Sequence, residues 1–179
     1  MVLRRHAFIA KAAALLGFLA FSAAPAAAQQ CNRECLTGLI TTYVDALVAR
    51  DPSKLPLATP TVKFTEDSKA LKLGEGLWKA SLAQPHFRQD YIDTSKQVAA
   101  THVAMMEGQN HILYSLLLYV KDRKISSIET LKQRIVPGGR YTPNQLGGPI
   151  RGMNDAVPAG KKMSRAEMIK TALTYPEGL

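Results

Sequence analysis

Two long apolar runs, residues 98–106 and 112–120, flank the tetrapeptide Glu107-Gly108-Gln109-Asn110, and no other stretch restricts the fold as strongly. Runs rich in Val, Leu, Tyr and Thr, split by a short glycine-containing connection, pair as antiparallel strands. Lys121-Asp122-Arg123-Lys124 makes a second tight connection into residues 125–135, so the three runs form a meander. In the middle run Ile112, Tyr114, Leu116, Leu118 and Val120 fall on one face, and Leu113, Leu117 and Tyr119 on the other. A strand that is apolar on both faces belongs to a sheet covered on both sides. One cover is a helix; the other is an apolar cavity or a second subunit.

The helix lies upstream. Leu36, Leu39/Ile40, Tyr43/Val44 and Leu47/Val48 recur in steps of about four, which places one broad stripe on a helix that ends near Arg50-Asp51-Pro52. Pro56 and Pro60 then keep the chain extended until residues 61–65, which alternate as a strand. A turn at Glu66-Asp67-Ser68 returns the chain through 70–73, completing a hairpin. Gly74-Glu75-Gly76 opens a short helical segment over 77–82 that carries the only tryptophan, Trp78.

The ends of the chain have a different character. Arg4 and Arg5 precede an apolar stretch over 7–19, and Ala26-Ala27-Ala28 supplies a small-residue cleavage pattern, so residues 1–28 read as an export signal. The arginine pair followed by His6-Ala7-Phe8-Ile9 also resembles a twin-arginine signal. The apolar stretch is too short for a membrane anchor, and Gln29-Gln30 ahead of Cys31 is not a lipidation site. A periplasmic or secreted protein with no stable membrane association is expected.

Without that segment the net charge falls from +9 to +6, and the excess sits in one place. Residues 132–165 carry Lys132, Arg134, Arg140, Arg151, Lys161, Lys162 and Arg165 against Asp155 alone. Residues 136–163 are rich in Gly and Pro without apolar periodicity, so they read as a basic, solvated linker. Nucleic-acid binding needs a structured basic face with stacking aromatics, which is not expected here. Cys31 and Cys35 are the only cysteines, and after export they are expected to be joined, which requires Cys31 to stand just outside the helix.

Ser164 with Glu167 is a capping box that starts a second helix over 164–179, with Pro176 expected to interrupt it. At an offset of 132 residues this segment pairs Arg165 with Arg33, Thr174-Tyr175 with Thr42-Tyr43, Glu177 with Asp45 and Leu179 with Leu47. The expected organisation is a signal over 1–28, an α+β domain over 29–135, a linker over 136–163 and a helix over 164–179 that opens a truncated second copy.

Long helix, hairpin, short helix and meander follow the order of the cone-shaped α+β fold of nuclear-transport-factor-like and SnoaL-like proteins. Cys31-x3-Cys35-Leu36, residues 43–58, Phe64-Thr65-Glu66, residues 73–78 and Ile125-x2-Ile128-Glu129-Thr130-Leu131 resemble a secreted two-module family of this fold without an assigned function. That family is expected to carry Thr-Glu-Asn-Gly where this chain has Thr65-Glu66-Asp67-Ser68. The resemblance implies a pocket between a concave sheet and the helices. It does not imply a reaction, because the fold hosts isomerases, dehydratases, cyclases and pure binding modules.

Strand parity nominates the pocket residues. His102 shares a face with Val98, Ala100, Ala104 and Met106. A catalytic acid or base in an apolar pocket has such neighbours, and so does an edge-exposed histidine. Glu129 shares a face with Ile125 and Leu131; inward it orients His102 or acts as a base, outward it is a solvated carboxylate. Tyr43 continues the helix stripe, its hydroxyl a candidate hydrogen-bond donor to the pocket. Phe64 and Trp78 form either an aromatic lid or plain core, while Tyr91 and Tyr114 are candidate ligand contacts. There is no phosphate-cradling glycine loop, no GxSxG elbow, no HExxH and no dinucleotide fingerprint.

The expected function is binding of a small hydrophobic or aromatic ligand. Any accompanying catalysis would be a cofactor-free isomerase, dehydratase or lyase reaction using His102, Glu129 and Tyr43, with neither metal nor cofactor. The alternative is a non-catalytic module that dimerises through its sheet.

Overall fold

A computed structural model describes residues 30–136, 138–139 and 155–178. The expected export signal and most of the expected linker lie outside the described residues.

The first helix, α1 (Arg33–Ala49), starts where the Asn32 side chain accepts the Cys35 N–H at 2.9 Å and stops where Arg50 turns left-handed at φ 57°. Its stripe of Leu36, Leu39, Ile40, Tyr43, Val44 and Leu47 is buried, as the four-residue stepping requires. Cys31 stands outside the helix and is bonded to Cys35 across a Cα separation of 5.2 Å.

Six strands follow: β1 (Lys63–Glu66), β2 (Lys69–Leu71), β3 (Phe87–Asp93), β4 (Val98–Glu107), β5 (Asn110–Lys121) and β6 (Lys124–Arg134). They form one sheet in the order β2-β1-β6-β5-β4-β3. Every pairing is antiparallel except β1 with β6, so the sheet is mixed, and with α1 on one face it makes an α+β fold. Asp67 and Ser68 join β1 to β2 with φ of 51° and 63°, the left-handed pair that a two-residue hairpin turn demands.

Three local expectations need correction. β3 is a strand that apolar periodicity does not reveal, because its charges find partners in place of burial. Arg88 bonds Asp90 at 2.7 Å and reaches Thr41 of α1 at 2.9 Å. The tryptophan segment is a single 3₁₀ turn, Gly76–Lys79, because Leu82 leaves it to bridge Glu107. The last helix, α2 (Arg165–Glu177), runs through Pro176 without interruption. A proline in the final turn removes one N–H just where the helix is ending.

Candidate functional site

Register assigns each strand residue to one of two faces. Ala99, Thr101 and Val103 of β4 stand opposite Leu118, Leu116 and Tyr114 of β5, and these stand opposite Ile128, Thr130 and Lys132 of β6. This inner face packs beneath α1, with Phe64 and Glu66 of β1 continuing it. Ala100 and His102 of β4, Ser115 and Leu117 of β5, Glu129 and Leu131 of β6 and Thr65 of β1 belong to the outer face.

The inner face is closed. Tyr43, Phe64, Trp78 and Tyr114 are all buried, so the expected lid of Phe64 and Trp78 and the expected ligand contact Tyr114 are core, and only Tyr91 of the ligand-contact candidates is exposed. Tyr43 and Trp78 meet edge-on with ring centroids 5.3 Å apart, and the Tyr43 and Tyr114 hydroxyls hydrogen-bond each other at 3.0 Å. Burial pushes both phenols well above the ordinary tyrosine range.

Beside them lies an ionic cluster that sequence reasoning passed over. Glu66 is buried; its Oε2 accepts the Leu77 N–H at 3.0 Å, and its Oε1 meets Lys132 Nζ at 2.5 Å. Lys132 also bonds Asp67 at 2.7 Å. Burial pulls the Lys132 ammonium down, but its bonds to Asp67 and Glu66 outweigh that and hold it above the usual lysine range. Gly76 covers the carboxylate with φ 65°, and a Cβ there would collide with Glu66. A Gly two residues ahead of Trp78 and a Glu on the inward phase of β1 were the available signals. Glu66, the Leu77 N–H, Lys132 and Asp67 form one connected set, an arrangement that fixes β1, the 3₁₀ turn and β6 together.

The cavity expected between sheet and helix is found instead on the opposite side of the sheet. A groove of 510 Å³ is lined by Lys63, Thr65, Ala100, His102, Ser115, Leu117, Glu129 and Leu131, among others. His102 is exposed and its Nδ1 lies 2.8 Å from Ser115 Oγ. Tyr91 packs edge-on against the imidazole at 5.4 Å between ring centroids. Glu129 is half-buried next to Tyr119, whose phenol is raised by desolvation and by the Glu129 carboxylate.

His102 and Glu129 therefore share a face, but they do not converge. His102 is level with Ser115 on β5, whereas Glu129 is level with Leu117. Two strand spacings and two residues of rise place their Cα atoms about 12 Å apart. Tyr43 lies across the sheet from both, so the three proposed catalytic residues do not form one site. Glu129 also does not share a face with Ile125, because a bulge leaves Ser126 between the Tyr119–Ser127 and Val120–Ile125 pairs and reverses the alternation. Among the described residues no cluster of His, Cys, Asp and Glu could hold a metal ion, and no helix is long and apolar enough to cross a membrane.

No protein-family model matches the sequence, and neither does any curated protein. Among solved structures, the chain is similar to a ketosteroid isomerase-like protein from Kribbella flavida, at 15% identity over 73% of this chain and 95% of that one, with a TM-score of 0.44. It is also similar to a nuclear-transport-factor-like protein of unknown function from Shewanella baltica, at 9% identity over 57% of this chain and 93% of that one, with a TM-score of 0.38.

Proposed function

We propose that this chain is an exported, non-catalytic interaction module whose working surface is the outer face of its sheet, and that this face takes a second copy of the protein. One observation carries the reading: among the described residues, the outer face leaves large apolar side chains uncovered around His102, Ser115 and Glu129. Leu131 is 57% exposed, Tyr91 43% and Tyr119 36%, with Leu113 and Leu117 half-buried between them. An antiparallel sheet that faces water normally alternates to polar residues on that side. Apolar patches of this kind mark interaction surfaces. Concerted acid–base catalysis by these groups is not proposed, since His102 and Glu129 stand about 12 Å apart on the outer face and Tyr43 lies across the sheet.

A second reading is favoured by the His102–Ser115 pair on the groove floor. A small aromatic compound with one polar group could lie over Leu117 while bonding to that pair. Sedimentation equilibrium of the mature protein separates the two readings. A dimer that Leu131→Lys converts to monomer supports the interaction module. A monomer at every concentration that takes up hydrophobic aromatic probes, with uptake lost in His102→Ala, would replace it with the ligand-binding reading.

A further inference from the structure

Among the described residues two apolar surfaces are uncovered, and the second suits the first. α2 carries Met168, Ile169, Ala172 and Leu173 along one side, with Met168 52% exposed, Ile169 48% and Leu173 47%. α1 and α2 begin 132 positions apart, each with an arginine directly after a capping side chain, Asn32 in one and Ser164 in the other. In that alignment the α1 core positions Leu36, Ile40 and Tyr43 correspond to Met168, Ala172 and Tyr175. In α1 these positions lie against a sheet; in α2 they face water.

The placement of α2 directs it away from its own groove. Arg165 bonds Asp93 at 2.5 Å and Ser95 at 3.3 Å, tying the first turn of α2 to the β3–β4 connection. Met168 lines a shallow groove with Arg33 at the start of α1, and no residue of α2 lines the groove on the outer sheet face. Held at the β3–β4 connection, α2 contributes no residue to the groove of its own sheet.

We propose that α2 of one molecule covers the outer sheet face of a second, reciprocally, in a two-fold dimer. The proposal rests on the reading of that face as an interaction surface and names what occupies it. A 13-residue helix is about 20 Å long and fits along β5, whose twelve residues span about 40 Å. Lys170 flanks the stripe beside Leu173 and can pair with Glu129, the one acid of a groove that Lys63 also lines.

The test is sedimentation equilibrium on the full chain, with far-UV circular dichroism as the check on folding. The helix variant Met168→Lys/Leu173→Lys and the sheet variant Leu131→Lys should each weaken self-association at least 100-fold. An equimolar mixture of the two should recover a heterodimer, because one helix–sheet contact is intact. A charge exchange avoids disturbing the stripe: Lys170→Glu and Glu129→Lys should each weaken the dimer, and the double variant should restore it. A dimer that survives the helix variant but not the sheet variant would overturn helix exchange and leave the interaction surface standing. A mixture that stays monomeric would overturn the exchange as well. A wild-type monomer, or a dimer indifferent to Leu131→Lys, would overturn both.

Discussion

The two faces of one sheet have opposite fates in this protein. On the inner face Leu116, Leu118 and Tyr114 meet α1, and the polar groups there, Glu66, Lys132 and the two tyrosine hydroxyls, are tied to one another. On the outer face Leu117, Leu131 and Tyr119 have comparable chemistry and no cover. Apolar composition thus does not separate core from contact surface. What separates them, among the described residues, is the covering element, which α1 supplies on the inner side.

Matched truncations should expose this contrast most strongly. Leu118→Ala removes a fully buried side chain and should cost about 2–5 kcal/mol, whereas Leu131→Ala should change monomer stability by no more than about 0.5 kcal/mol. Urea denaturation of both variants at low protein concentration is the measurement, and equal losses would abolish the distinction between the faces.

The ionic cluster gives the next largest effect. Lys132→Met leaves the buried Glu66 carboxylate without its cation and should destabilise by about 3 kcal/mol. Adding Glu66→Gln removes the stranded charge, so the double variant should regain a good part of that loss. A double variant no more stable than the single one would mean that Lys132 matters through Asp67 alone.

Alkaline titration sharpens the comparison further. Because burial raises Tyr43 and Tyr114 in the folded state, the stability they contribute is complete below the ordinary tyrosine value of about 10 and is lost as pH rises beyond it. Their phenolate absorbance should therefore appear only together with unfolding. Ionisation of every tyrosine in a protein that keeps its circular dichroism would refute the closed interior.

The smallest effect belongs to the hairpin turn. Ser68 occupies a left-handed conformation, and Ser68→Gly should raise stability by about 0.5–1 kcal/mol, read as a higher melting temperature. A fall would show that the serine side chain contributes something the backbone argument omits.

How much of this was legible beforehand depended on how local the cause was. Helix phase and strand alternation are written in consecutive residues, so the stripe of α1, the three meander strands and the parity of β5 could be read directly. β3 could not, because its Arg88–Asp90 pair and its contact with Thr41 replace the apolar run by which a strand is recognised. The position of Glu129 was half legible: its neighbours suggested a companion in Ile125, but the bulge at Ser126 is decided by pairing with β5.

The candidate site was less legible than the fold. Parity placed His102 correctly relative to its own strand, yet parity is silent on which face the helix will choose. By itself, the sequence determined α1, the first hairpin, the three meander strands and two apolar faces on the central strand, since backbone geometry converts spacing into orientation without reference to distant residues. Only the tertiary structure decided that α1 would close the face bearing Tyr114 and leave the one bearing His102 open, that β1 would run parallel to β6, and that Glu66 would meet Lys132. Those outcomes depend on which of several comparable surfaces are brought together when the chain closes, and that balance is set by contacts between residues far apart in sequence.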